Sequence, residues 1–190
     1  MIERLKVLHY NVGKRRQVQW SLLNDEALRG HDALAVVEPY IQPLSDIGKP
    51  EVGQHHNWQA ITPTTYRNDG HVRHKFRAIL WINKSTHTQQ VPVDSYDVAA
   101  TLINTAEGPV LLVAAYDLHI ADTTQERDLA ITTKLQAIQA AIALANSMTK
   151  EKVEVVVCSD FNRHYPVWGG FAATRDGSRQ NEAECIITFA

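Results

Sequence analysis

Apolar positions along the chain fall into short runs parted by turn residues, and the runs do not share one period. Leu5-Lys6-Val7-Leu8-His9-Tyr10-Asn11 alternates apolar and polar and then meets Gly13, which predicts a strand. From about Gln17 to Leu28 the spacing turns helical, with Trp20, Leu23 and Ala27 on one face and Gly30 as a stop. Ala33 to Val37 is a short apolar strand that ends at Glu38-Pro39, and a Pro/Gly-rich loop follows to about Gly53. His56 to Ile61 reads as a short strand and Thr62 to Lys75 as a long polar loop. Phe76 to Ile82, Asp97 to Asn104 and Val110 to Tyr116 read as strands. Glu107-Gly108-Pro109 marks a hairpin turn between the last two, which are therefore antiparallel neighbours.

The pattern then becomes helical. Thr123-Thr124-Gln125-Glu126 fits a capping box, and Ile131, Leu135, Ile138, Ile142 and Ala145 follow at spacings of four, three, four and three. Val153 to Cys158 is fully apolar at its end, which predicts a central strand. After Gly177 the residues up to Phe189 resemble the start of a helix. There is no internal repeat, low-complexity tract or linker, so residues 1–190 read as one domain. Hairpins plus helical crossovers predict a layered α/β or α+β fold, because helices must cover the sheet faces.

Composition narrows the picture. A chain of 190 residues with 44% hydrophobic residues suits a single core. Charged residues at 21% exclude a disordered composition, and a net charge of −2 excludes a generally basic nucleic-acid binder. Any nucleic-acid contact must use local patches. Cys158 and Cys185 form no CxxC pair and read as free thiols of a reducing compartment. The chain opens on a strand pattern without a signal-peptide core, and no apolar run is long enough to span a membrane. These features predict an intracellular protein, nuclear or cytoplasmic, without a membrane partner. Asn83-Lys84-Ser85 has the form of a glycosylation sequon and reads as chance.

Candidate chemistry sits where apolar strands end. One ends at Asn11, one at Glu38, and a later one runs into Asp160 and Asn162. Loops at one edge of a layered sheet collect ligand-binding groups, so these four converge if the strand ends share an edge. Two carboxylates and two amides make a hard, oxygen-rich set that suits Mg²⁺ or Mn²⁺ and suits zinc poorly. Each residue also has a structural reading, since Asx residues commonly end strands and start turns. His119 follows a strand end and reads as a substrate contact or a loop residue. His164 reads as a packing residue, and Trp168 as a ring that pins a turn. Two basic groups could meet phosphates: Lys14-Arg15-Arg16, and Arg67, Arg73, His74, Lys75 and Arg77.

Together these stretches resemble the endonuclease/exonuclease/phosphatase superfamily, and more narrowly the apurinic-type endonuclease domain of non-LTR (LINE-like) retrotransposons. "LKVLHYNVGK" resembles its first motif, "DALAVVEPYI" its second, "PVLLVAAYDLHI" its third and "VVVCSDFNRHYPVWGG" its fourth, which is the most specific. "RQNEAECIITFA" is similar to the helix that follows. The resemblance implies a four-layer α/β sandwich of two mixed β-sheets flanked by helices. It implies Mg²⁺-dependent (or Mn²⁺-dependent) cleavage of a DNA phosphodiester, with no small-molecule cofactor. By position, Glu38 would bind metal with Asn11 assisting, and Asp160 would orient or activate water. Asn162 and Tyr116 would hold the phosphate, with His119 near the substrate and Lys14, Arg15 and Arg73 on DNA.

Departures from the family pattern bear on activity. Val37 stands where Gln is frequent, Ser159 where Gly is frequent, and "YDLH" lacks the usual Asn-Pro. The family pattern continues into further strands with an Asp motif and a final Ser-Asp-His motif, and no Ser-Asp-His stands in this sequence. The resemblance therefore implies a domain incomplete at its C-terminus, with its last strands missing and its activity weak or absent. Three other readings remain beside it: a non-catalytic, transposon-derived relic that binds nucleic acid or a partner chain, a phosphomonoesterase of the same superfamily, and a fold completed by another chain.

Overall fold

Two four-stranded sheets, each mixed, stack face to face in the computed structural model of the chain, which describes residues 2–42, 52–65, 76–117 and 124–160. The first sheet holds β1 (Val7–Asn11), β2 (Ala33–Val37), β3 (Trp58–Ile61) and β4 (Ala78–Asn83), in the order β1-β2-β4-β3. The second holds β5 (Thr88–Val91), β6 (Val98–Thr105), β7 (Gly108–Tyr116) and β8 (Glu154–Asp160), in the order β5-β6-β7-β8. Only β1–β2 and β7–β8 are parallel pairs, and each is joined by a helix. These helices are α1 (Arg16–Asn24) and α2 (Thr124–Met148). Parallel neighbours need such a crossover, whereas the antiparallel pairs close through loops.

The period of two along the strands divides the core. Ala33, Ala35 and Val37 of β2 face between the sheets, together with Ala78, Leu80 and Ile82 of β4 and Leu112, Ala114 and Tyr116 of β7. The intervening Leu34 and Val36, with Ile79 and Trp81, lie under α1 and its Leu23. Leu111, Val113 and Ala115 lie under α2 with Ile138, Ala141 and Ala145. Strands buried on both faces read as continuous apolar runs, which is why β2, β4 and β7 do so. The result is four layers, helix on sheet on sheet on helix, as the resemblance implies.

Several expectations are corrected. The first helix stops at Asn24 rather than near Leu28, and a 3₁₀ turn covers Glu26–Leu28. Asp25 is extended and its carboxylate accepts from the Ala27 N–H, a local bond that competes with the helix. The hairpin turn is Ala106-Glu107, with Gly108 and Pro109 already paired in β7. Gly108 takes φ +126°, a conformation that only glycine adopts readily. The polar strand β5 has no counterpart in the pattern reading, because a short edge strand needs no apolar alternation. The run expected as a central strand is β8, which pairs with β7, and whether anything pairs with its other edge falls outside the described residues. Val155, Val156 and Val157 are each 37% exposed. An apolar run records what its side chains favour. Its place in the sheet is set by the crossover, which returns the chain beside β7.

The long helix presents Ile131, Leu135, Ile138 and Ala145 inward, as its spacing predicts, with Ile142 half-buried. No helix among the described residues is long and apolar enough to cross a membrane. Asn83 serves the fold: its side-chain amide donates to the carbonyls of Arg29 and His31, and its Oδ1 accepts from Ser85. Cys158 is a half-buried free thiol whose pKa burial pushes up, which makes it a poor nucleophile. Thr123 and the side chains of the rest of the capping box, the loop after Thr65 as far as Lys75, and everything beyond Asp160 lie outside what the structure describes.

His55 supplies a pH test of the α1–β3 packing. It is buried beside Trp20, with Nδ1 accepting from the Asn57 N–H and Nε2 3.3 Å from Asn24 Oδ1. Burial lowers its pKa below the ordinary 6.5, and the charges of His56 and Lys84 push the same way. The unfolded chain then binds the extra proton, so this contribution is complete above about pH 6.5 and is lost as pH falls toward the folded value. Urea denaturation between pH 5 and 7.5 should show a shallower acid-side loss in His55→Gln than in the parent. Equal slopes would remove His55 from the account.

Candidate active site

Both parallel pairs end on the same edge of the sandwich. Asn11 closes β1 opposite Val37, the last residue of β2, and Glu38 follows directly. Tyr116 closes β7 opposite Asp160, the last residue of β8. The two sheets therefore bring four polar strand ends to one place. The Tyr116 hydroxyl donates to Glu38 Oε1 at 2.6 Å, and Asn11 Nδ2 lies 3.4 Å from Asp160 Oδ2. Each of these contacts joins one sheet to the other.

The loop from Asn11 to Lys14 is built tightly against Glu38. Asn11 Oδ1 accepts the Gly13 N–H at 2.8 Å, an Asx turn that fixes the amide's orientation. Gly13 and Lys14 have φ +57° and +60°. The Lys14 N–H donates to the Glu38 carbonyl at 2.8 Å, and the Lys14 ammonium lies 3.9 Å from Glu38 Oε1. Glu38 itself has φ +48°, although a residue before proline is normally extended. A non-glycine residue in this region stores of order 1–3 kcal/mol, a feature that clusters at functional sites. Gln19 secures Tyr40, two residues on, donating from Nε2 to the Tyr40 carbonyl at 3.2 Å and accepting the Tyr40 N–H at 2.8 Å.

Of the residues read from the sequence, Asn11, Glu38, Tyr116 and Asp160 stand together, with Lys14 beside Glu38. Arg15 is exposed at the start of α1. Asn162, His119, His164, Trp168 and Arg73 lie outside the described residues. Arg77 is corrected: grouped by sequence with a basic, phosphate-facing loop, it is only 5% exposed. The chain alternates there, so Arg77 points inward to a two-pronged pair with Asp97, Nε to Oδ1 at 2.6 Å and Nη2 to Oδ2. Burial works against its charge, but Asp97 outweighs burial and raises the guanidinium pKa.

No protein-family model matches the chain, and no curated protein matches it. Solved structures do. The endonuclease domain of TRAS1, a telomere-specific non-LTR retrotransposon, aligns at TM-score 0.60 and 16% identity, covering 90% of this chain and 68% of that one. AP endonuclease LMAP from Leishmania major aligns at 0.58 and 11%, covering 84% and 56%. A humanized D. rerio TDP2 aligns at 0.50 and 15%, covering 83% and 62%. This chain has the endonuclease/exonuclease/phosphatase fold. It spans between 56% and 68% of the length of these three neighbours.

On this fold the donor set near Glu38 fits a hard cation. The groups available are the carboxylates of Glu38 and Asp160 and the Asn11 amide, all oxygen donors. No group of three His, Cys, Asp or Glu is assembled among the described residues. A cation there would rely on one or two carboxylates, with water and substrate completing its shell, as Mg²⁺ commonly does. The Lys14 ammonium beside Glu38 shows that positive charge is already accommodated at this carboxylate.

Two buried polar residues beneath the site were not singled out from the sequence. Gln19 interrupts the buried face of α1, and Lys134 sits on the apolar stripe of α2 between Ile131 and Leu135. A charged or amide residue on a helix's buried stripe is the signal that finds both. The strain at Glu38 is open to test. Glu38→Gly and Glu38→Ala both remove the carboxylate, but glycine alone relieves φ +48°. Glu38→Gly should be the more stable of the two by about 1 kcal/mol in urea denaturation. Equal stabilities would mean the left-handed backbone is not held under strain.

Proposed function

We propose that this chain is a DNA endonuclease domain that hydrolyses a phosphodiester with Mg²⁺ or Mn²⁺, of the type that nicks target DNA in non-LTR retrotransposition. The observation that carries the reading is the meeting of Asn11, Glu38, Tyr116 and Asp160 across the sheet interface, with Tyr116 bonded to Glu38 at 2.6 Å. Support comes from a fold shared with a retrotransposon endonuclease domain and an AP endonuclease.

In this reading Glu38 holds the metal with Asn11 assisting. The bound ion would polarise a phosphoryl oxygen and steady the leaving alkoxide. Asp160 orients the attacking water and takes its proton, which requires the carboxylate to be ionised. The Tyr116 hydroxyl, which donates to Glu38 in the structure, would turn to the phosphate when substrate binds, and Asn162 is assigned as a second phosphate donor. Lys14, Arg15 and Arg73 meet flanking phosphates without reading bases. His119 is assigned to substrate contact from its sequence position alone. No Ser-Asp-His stands in the sequence, and a positioned acid/base group typically contributes about 10²–10⁴ in rate, so slow nicking is expected.

Nicking of supercoiled plasmid tests the proposal. Mg²⁺ should support nicks that EDTA abolishes, and Glu38→Ala and Asp160→Ala should each lower the rate at least about 10²-fold. Folded protein that binds plasmid but nicks no faster than these variants would replace this reading with a non-catalytic nucleic-acid binder.

A further inference from the structure

Four buried charges lie directly behind the site. Arg77, Asp97, Asp117 and Lys134 are 5%, 2%, 1% and 7% exposed. Arg77 pairs with Asp97, while Lys134 of α2 donates to Asp117 Oδ1 and lies 3.6 Å from Asp97 Oδ2. Two cations and two carboxylates balance. Buried ion pairs are a poor source of stability, because desolvation offsets their attraction and apolar residues of similar volume often serve as well. Their placement supplies another reason for them. The Arg77 carbonyl accepts the Glu38 N–H at 2.8 Å, the Asp97 carbonyl accepts the Tyr116 N–H at 3.1 Å, and the Asp117 N–H donates to the Asp160 carbonyl at 2.9 Å. Every network member on a strand or strand end thus holds the backbone of one site residue.

Arg77 acts on two of them. Its backbone fixes Glu38, and its guanidinium carbon lies 5.6 Å from the centre of the Tyr116 ring and 5.5 Å from that of Tyr96. This is within the range of a cation–π contact. We propose that Arg77, locked by Asp97 and tied to α2 through Lys134, is the positioning residue that sets the Tyr116–Glu38 pair across the two sheets. The inference rests on the proposed function for its kinetic consequence, and on geometry alone for its structural one. Lysine cannot replace arginine here, since a point charge supplies neither the two-pronged pair nor the flat face against the rings.

The test uses the parent, Arg77→Lys and the double variant Arg77→Met/Asp97→Leu, which removes one buried cation and one buried carboxylate together and leaves Lys134 paired with Asp117. Two readouts are taken on each: plasmid nicking resolved into kcat and KM, and the ¹³Cζ resonance of Tyr116 in tyrosine-labelled protein, assigned by its loss in Tyr116→Phe. The double variant should melt within a few degrees of the parent. Its Tyr116 resonance should move toward that of a solvated tyrosine, and its kcat should fall about a hundredfold with KM nearly unchanged. Arg77→Lys should fall between. A folded double variant that keeps the parent's Tyr116 resonance overturns the inference. If the parent does not nick, the proposed function falls, and the resonance alone still decides whether Arg77 positions Tyr116. If the double variant does not fold, the resonance of Arg77→Lys decides in the same way.

Discussion

The hydrogen bond from Tyr116 to Glu38 couples the two halves of this molecule. Glu38 belongs to the first sheet and Tyr116 to the second, so a bond of 2.6 Å between them exists only if the sheets stack in one register. That register is set below, by the apolar layer in which Ala33, Ala35, Ala99 and Ala114 alternate with Leu80, Ile82, Ile103 and Leu112. Close-packed interiors transmit small displacements, so the site inherits the rigidity of the layer beneath it. The Asn11–Asp160 contact is a second clasp of the same kind. The geometry of this site is therefore a property of sheet packing first and of the loops second.

Much of this was legible in the sequence, for a physical reason. Strands buried on both faces must be apolar throughout, so their ends stand out wherever the chain returns to water. Glu38 follows such a strand, Asn11 and Asp160 end strands that are only partly covered, and Tyr116 was indicated by the family resemblance; crossovers that return the chain parallel put all four on one edge. What escaped notice was of the opposite kind. Arg77 and Lys134 are charges placed where charge is disfavoured, and a reading by hydropathy assigns them to the surface. Their partners Asp97 and Asp117 are remote in sequence, and no local spacing joins them. Among the described residues the apolar β8 pairs with β7 alone, and composition by itself does not fix which strands flank it.

The two parallel pairs are built alike and used differently. Each is strand, helix, strand, and each helix covers the outer face of its own sheet. The first pair ends in an amide and a glutamate drawn together by a left-handed turn, with a lysine beside them. The second ends in a phenol and an aspartate, directly paired across β7 and β8 and backed by buried charge. One half thus offers a strained carboxylate suited to a cation. The other offers a hydroxyl donor and a carboxylate suited to a proton. Joining them face to face brings both sets of groups to one point without a loop having to reach across. The same joint makes the site sensitive to anything that shifts one sheet against the other. Arg77, buried, with its guanidinium carbon 5.6 Å from the centre of the Tyr116 ring and its carbonyl holding the Glu38 N–H, stands where such a shift would be felt.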